Sequence, residues 1–194
     1  SDVYKRQVVI QLGAIMAVVV LYFHKLNPFS PKKTKKQKLL TWQMWIKVAI
    51  ASVPAAIVGL LFNDILDKIF YKPFPVAVML IVYGVLFIVI ENRNAGRRPS
   101  VNKIADLSMS MLLWIGFFQM LALIPGTSRS GATIVGALII GVSREIAAEF
   151  TFFLAIPVMF GASLLKIVKF GLAFTSTQLI VLIVGMVVSF LVSI

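Results

Sequence analysis

The sequence PGTSRSGAT at residues 125–133 interrupts an apolar part of the chain and decides how we interpret the fold. The apolar run before it covers residues 107–124, and the apolar run after it, residues 134–142, has nine residues. Nine residues are too few for a membrane-spanning helix, which needs about 20. Nonhelical backbone at membrane depth is tolerated only where protein buries it or water reaches it. The pattern therefore predicts a re-entrant hairpin with its return over residues 131–142 and this polar nonapeptide at its tip.

The composition of the whole chain predicts that lipid is its main solvent. Hydrophobic residues make up 60% of the 194 residues and charged residues 13%, and the mean hydropathy is +0.98. A soluble domain has about 25% charged residues. The sequence has no alternating strand pattern of the kind that a membrane barrel needs. Cysteine is absent, which excludes disulfides and thiol chemistry. We therefore predict an all-α integral membrane protein.

The apolar runs predict a polytopic helical bundle that forms one transmembrane domain over residues 8–194. Residues 1–7 begin without Met, and we interpret them as a non-native leader. The last run stops at Ile194 without a polar flank, so we expect the chain to be truncated at both ends. The predicted spans are approximately residues 8–23, 46–62, 74–90, 107–124, 146–165 and 178–194.

The charge distribution predicts how the chain lies in a membrane. Lys and Arg outnumber Asp and Glu by 19 to 7, for a net charge of +12, which by itself would suggest a nucleic-acid partner. The basic residues, however, concentrate in residues 24–45 and 91–103, between apolar runs. Two spans separate these segments, so both lie on one side, and the positive-inside rule makes that side the cytoplasm. We predict a multi-pass membrane protein that binds no nucleic acid.

The nonapeptide has the residue types of an anion site. Gly126 and Gly131 allow the backbone to bend and to approach a ligand closely. A helix that restarts near Ser130 or Gly131 would direct its first free N–H groups back at the loop. Hydroxyl donors come from Thr127, Ser128, Ser130 and Thr133.

Arg129 supplies the charge of this predicted anion site. Its planar guanidinium matches phosphate oxygens, and a membrane-embedded Arg costs about 2.5 to 3.5 kcal/mol on insertion scales, which a bound anion would offset. The alternative is an ordinary outer loop in which Arg129 is solvated. The residue types alone do not separate phosphate from carboxylate or sulfate.

The motif and its flanks resemble a known family. PGTSRSGAT followed by Ile134 is similar to the second signature of the undecaprenyl-diphosphate phosphatase family, also called the bacitracin-resistance protein family. Residues 8–18 resemble the family's segment after its first signature, and residues 141–157 resemble its continuation after the second. The first signature itself, an acidic E-x-x-x-E element followed by a Ser-rich stretch and a His, is missing and would lie just before Val8.

The resemblance implies an enzyme, a fold and a location in the bacterial plasma membrane. The reaction would be hydrolysis of undecaprenyl diphosphate to undecaprenyl phosphate and phosphate, which recycles the lipid carrier for peptidoglycan synthesis and gives bacitracin resistance. The fold would contain two inverted repeats, each with a re-entrant hairpin, that meet near the midplane. The family also implies a divalent cation, Mg or Ca, whose ligands belong to the missing signature. We therefore expect the 194 residues alone to be inactive.

By the same resemblance, residues of the nonapeptide take specific roles. Arg129 would hold the diphosphate and, with Ser130, form the catalytic part that this chain retains. Ser128, Ser130 and Thr133 would hydrogen-bond the substrate, and the two glycines would shape the loop. The substrate-binding set is Gly126, Thr127, Ser128, Arg129, Ser130, Gly131 and Thr133.

Other polar residues are weaker candidates. Gln119 lies six residues before Pro125, and Glu149 lies near the start of a long apolar run, so both are candidates for supporting the site. Gln11 has a similar position inside the first run. His24 is the only histidine and is best explained as an interfacial side chain.

Two other classes of protein remain open on the sequence alone. One is a membrane transporter with a mid-membrane anion site, in which a broken helix and its Arg bind the substrate. The other is a structural remnant without activity. The sequence also leaves open whether copies of the chain form a homo-oligomer.

Overall fold

A computed structural model describes residues 2–70, 73–94, 96–124, 126–170 and 176–194, and the side chains of residues 10–62, 74–94, 96–124, 126–164 and 179–194. The described chain is helical, and the prediction of an all-α fold is confirmed. A short 3-10 turn covers Ile104–Asp106. The helices are α1 (Asp2–Leu21), α2 (Phe23–Leu26), α3 (Lys35–Phe70), α4 (Pro73–Asn94), α5 (Met109–Leu121), α6 (Arg129–Ile139), α7 (Arg144–Phe170) and α8 (Ser176–Ser193).

Within the described residues, three stretches of helix are long and apolar enough to cross a membrane: Lys35–Phe62, Phe74–Asn94 and Arg144–Leu164. They contain or overlap the predicted spans 46–62, 74–90 and 146–165. The predicted span 107–124 contains a helix of only 13 residues, α5. This helix starts at Met109 because the Ser108 hydroxyl accepts from the Met111 amide and caps it. Neither α5 nor the 11-residue α6 has the length of a full span.

One of two compact units comprises residues 1–42 and 155–194. In it, α1 packs against α8. A Cβ atom at Gly13 would overlap the backbone carbonyl of Met186, so the backbones of the two helices touch at that point. Glycine permits such close approach between helices, as is common in membrane bundles.

The second compact unit comprises residues 43–154 and contains the nonapeptide. Here α5 packs on α3 near Pro54, which interrupts the backbone hydrogen bonds of α3. The contact is close, because a Cβ atom at Gly116 of α5 would lie 2.6 Å from the Ala51 carbonyl oxygen. The same unit contains α4 and the antiparallel pair α5 and α6, in which Gly136 of α6 packs directly on Phe118 of α5.

The segments that enter and leave the α5–α6 hairpin lie side by side. The amide nitrogens of Ser100 and Val101 donate to the Gly141 carbonyl oxygen at 2.9 and 3.2 Å, and the Ser143 amide donates to the Val101 carbonyl oxygen at 2.8 Å. Lys47 of α3 holds the segment that leads into the hairpin, because its Nζ donates to the carbonyl oxygens of Ile104, Ala105 and Leu107. The two ends of the hairpin are therefore tied together at its base, and residues 122–124 and 126–128 lie at its tip.

The opposite ends of α4 mark the base and the tip of the hairpin. Asn94, the last residue of α4, donates from Nδ2 to the Leu138 carbonyl oxygen near the base, at 3.4 Å. Gly126 at the tip packs on the backbone of Val76, in the first turn of α4. The tip of the hairpin therefore lies near the start of α4, far along that helix from the basic segment 91–103.

Candidate anion site

The tip of the hairpin turns at Gly126, which has a φ of +93°. A Cβ atom there would lie 2.7 Å from the Val76 carbonyl oxygen and 3.0 Å from its Cα. Both the backbone conformation and the lack of space require glycine. Pro125, the first residue of the predicted motif, lies outside the described residues.

The helix α6 starts at Arg129, one residue before the predicted restart near Ser130 or Gly131. It starts there because Ser128 is its N-cap: the Ser128 Oγ accepts from the Gly131 amide at 3.2 Å. The Ser128 and Ser130 hydroxyls are exposed and 3.3 Å apart. The amides of Arg129 and Ser130 find no acceptor among the described residues, as is normal in the first turn of a helix. Two exposed hydroxyls and these free amides thus lie together at the positive end of the helix.

Arg129 brings a charge to this end of the helix. Its side chain is partly buried, and it makes no hydrogen bond or ion pair with any residue in the described parts of the chain. Arg144, by contrast, forms an ion pair with Glu91 on the surface of the same unit. A partly buried guanidinium without a protein anion is costly, and an anionic ligand would remove that cost.

The structure buries Thr133, one of the predicted substrate-binding residues. Its side chain is 1% exposed, and its Oγ1 donates to the carbonyl oxygens of Arg129 and Ser130, at 3.0 and 3.1 Å. The Thr133 hydroxyl also accepts from Thr151 Oγ1 on α7 at 3.0 Å. The Thr133 hydroxyl therefore stabilises the first turn of α6, and its role in substrate binding stays a prediction.

Two other motif residues pack against α4. Gly131 faces Phe87, whose ring carbon Cε2 would lie 2.7 Å from an added Cβ. Thr127 has a buried Oγ1 that lies near the Tyr83 hydroxyl without the geometry of a hydrogen bond. Gly131 therefore brings α6 close to α4, and Thr127 belongs to the underside of the loop.

The candidates outside the motif are placed as follows. Gln119 of α5 is 2% exposed, and its Nε2 has no hydrogen-bond partner among the described residues. Glu149 is partly buried on α7, two residues before Thr151. Gln11 and His24 belong to the other compact unit, on α1 and α2.

The residues at the tip do not fit a divalent cation. Among the described residues, no three His, Cys, Asp or Glu side chains converge. The groups that do converge are a guanidinium, hydroxyls and backbone N–H groups, which bind anions, whereas Mg and Ca take oxygen ligands rich in carboxylate.

Four residues that contact the motif were not predicted: Val76, Tyr83, Phe87 and Thr151. They lie on α4 and α7, within apolar runs that look like ordinary membrane helix. Tyr83 and Phe87 are four residues apart and share a helix face, but the sequence contains no signal that this face meets the motif. Thr151 stands between two phenylalanines and reads as a helix-packing residue.

Replacing Ser128 with alanine removes the N-cap of α6, and we expect the protein to lose about 1 kcal/mol of stability. Thermal unfolding in detergent measures this loss. Ser108→Ala, which removes the equivalent cap of α5, is the matched control and should cost a similar amount. Only Ser128→Ala should also weaken anion binding, because Ser128 alone of the two lies beside Arg129. Equal binding by both variants would contradict a ligand role for Ser128.

Comparisons with known proteins identify the family of the chain. The family model for "Bacitracin resistance protein BacA" matches residues 2–194. An undecaprenyl-diphosphatase of Acetivibrio thermocellus is 61% identical over 188 residues, which is 97% of this chain and 69% of that protein. Undecaprenyl-diphosphatases of Enterococcus faecalis and Desulfitobacterium hafniense are 60% and 57% identical, over 96% of this chain and 69% and 68% of their own lengths. The chain therefore belongs to the BacA family of bacitracin resistance proteins.

Proposed function

We propose that this chain provides the diphosphate-binding part of an enzyme that hydrolyses undecaprenyl diphosphate to undecaprenyl phosphate and phosphate. The relatives named undecaprenyl-diphosphatase support this activity. The observation that carries it is Arg129, a partly buried guanidinium at the N-terminal end of a helix, without an anionic partner in the described residues. The function that follows is recycling of the lipid carrier for peptidoglycan synthesis, with resistance to bacitracin as its consequence.

The geometry suggests how the substrate is held. A diphosphate oxygen lies against the Arg129 guanidinium, and others accept hydrogen bonds from the free amides and from the Ser128 and Ser130 hydroxyls. In hydrolysis, the water oxygen bonds to the terminal phosphorus and the bond from that phosphorus to the bridging oxygen breaks. Undecaprenyl phosphate leaves, and the attacking water gives up a proton to solvent as inorganic phosphate forms. Negative charge moves onto the bridging oxygen as this bond breaks. Preorganised donors that face the developing charge supply most of the rate enhancement in such reactions.

We further propose that α5 and α6 form a re-entrant hairpin. Support comes from its tied ends and its length: α5 has 13 residues and therefore rises about 20 Å, against a hydrocarbon thickness of about 30 Å. With the basic segments in the cytoplasm of a bacterial plasma membrane, a hairpin tip near the start of α4 faces the outer side. The chain would then be a multi-pass protein that receives its lipid substrate from that side. The inverted repeat and a homo-oligomer stay predictions.

An assay of phosphate release tests the proposed function. The full-length gene product, purified and reconstituted in lipid vesicles, should release phosphate from a C55 diphosphate and leave the C55 monophosphate in the membrane. An anion transporter, the alternative class of protein, would move its substrate across the vesicle membrane without cleaving it. Intact diphosphate after long incubation with well-folded protein would rule out the phosphatase. The 194 residues alone should show little or no release, because the acidic signature is not among them.

A further inference from the structure

A chain of buried hydroxyls links α7 to the first turn of α6. Thr151 of α7 donates from Oγ1 to Thr133 Oγ1 at 3.0 Å. Thr133 in turn donates to the carbonyl oxygens of Arg129 and Ser130, at 3.0 and 3.1 Å. Thr151 is 6% exposed and Thr133 is 1% exposed, so no water competes for these hydrogen bonds. The chain of hydrogen bonds ends on the backbone of the two residues that face the proposed ligand.

The direction of these bonds is unusual for threonine in a helix. A helical Thr commonly donates to a backbone carbonyl three or four residues earlier, as Thr133 does here. Thr151 instead donates across to another helix and gives its hydrogen to a hydroxyl that is already a donor. Where water is excluded, successive hydrogen bonds in such a chain polarise one another, so each bond strengthens the next. The arrangement holds the first turn of α6 at a fixed distance from α7.

We propose that Thr151 is a positioning residue for the diphosphate site: through Thr133, it holds the backbone of Arg129 and Ser130 where these residues meet the substrate. This inference rests on the proposed phosphatase function. Thr151 itself touches no substrate, because it is buried and Thr133 lies between it and the backbone of Arg129 and Ser130. Its contribution is geometric, and misplacement of catalytic groups by about 1 Å can cost about 100-fold in rate.

Thr151→Val tests the role of the hydroxyl, because valine keeps the shape of threonine and removes the donor. We expect kcat to fall about tenfold, the equivalent of about one hydrogen bond, with the thermal unfolding temperature little changed. Inhibition by inorganic phosphate, which probes the anion site without the lipid, should weaken in parallel. Thr151→Ser, which keeps the hydroxyl, should restore both properties to near the wild-type value.

A double-mutant cycle with Thr133→Val separates positioning from packing. If Thr151 acts only through Thr133, the double variant should lose no more activity than Thr133→Val alone, because the link is already broken. Losses that multiply would overturn the proposal, since they would mean that the two residues act independently. Ser163→Ala is the matched control on the same helix: its Oγ is buried and has no hydrogen-bond partner among the described residues, and it should leave activity unchanged.

The outcomes distinguish this inference from the function on which it rests. If the wild-type protein does not release phosphate, the proposed function fails. If the wild-type protein is active and Arg129→Ala is not, while Thr151→Val has wild-type kcat and phosphate inhibition, only the positioning role fails. If Thr151→Val unfolds, the comparison of Thr151→Ser with Thr133→Val still tests the positioning role. A Thr151→Ser protein that is as inactive as Thr133→Val would contradict a role for the Thr151 hydroxyl.

Discussion

Replacing Arg129 with alanine should lower kcat/KM for undecaprenyl diphosphate by about 10²–10³-fold, the usual loss when one preorganised donor to developing charge is removed. The guanidinium lies at the positive end of α6 and has no anionic partner in the described chain, so its charge is available to the substrate. The loss should appear in both kcat and the inhibition constant of inorganic phosphate. Phosphate release from the full-length protein in vesicles measures the first, and competition with phosphate measures the second.

Two further variants sharpen this prediction. Arg129→Lys keeps the charge but loses the planar fork of donors, so we expect it to recover only part of the lost activity. Arg98→Ala is the matched control, because Arg98 lies exposed in the basic segment 91–103, which meets the hairpin at its base and not at its tip. If Arg129→Ala and Arg98→Ala had equal activity, the assignment of the anion site to Arg129 would be wrong.

Replacing Gly126 with alanine should reduce activity as severely, although Gly126 contributes no side chain to the site. Its φ of +93° costs an alanine about 1–3 kcal/mol, and the added Cβ would press on the backbone of Val76. A helix backbone cannot yield as a flexible side chain can, so the loop must move away from α4. Arg129, three residues later, then moves with it. We expect activity to fall by at least about 100-fold, in line with a displacement of about 1 Å.

Thermal unfolding and phosphate release, measured on the same preparation, test the Gly126 prediction. Gly84→Ala is the matched control, since Gly84 lies inside α4 with open space where its Cβ would be. That variant should gain about 0.5–1 kcal/mol of helix stability and keep its activity. A Gly126→Ala protein with normal activity would show that the turn at the tip is not required for the site.

The sequence predicted the anion site largely from local rules. The restart of a helix near Ser130 and the glycine bend at 126 follow from properties of short peptides, so a nonapeptide carries enough information for them. The cap at Ser128, which starts α6 at Arg129, came from the structure. The family resemblance came from the same residues and is confirmed by the comparisons. Thr133 was predicted to bind the substrate because its residue type fits, but residue type does not reveal which way a side chain faces. The structure turns it inward, towards Thr151.

The residues that support the site could not be predicted, because they come from distant parts of the chain. Val76, Phe87 and Thr151 meet the motif from α4 and α7, and within an apolar helix no sequence pattern distinguishes the face that meets a protein neighbour from the face that meets lipid. Both faces are apolar, so the period that marks a buried face in a soluble protein is lost.

By itself the sequence determined the helical class, the positions of the basic segments and the chemistry of the hairpin tip, since composition, charge and local backbone preferences are all written in short stretches. Tertiary structure alone decided that the base of the hairpin closes on itself through Ser100, Gly141 and Ser143, and that its tip packs against α4 at Val76. Those contacts depend on helix packing between residues that are 40 or more positions apart, where the energy comes from close backbone approach. The nonapeptide supplies the residue types of the proposed anion site, and the neighbouring helices decide which of its hydroxyls are buried.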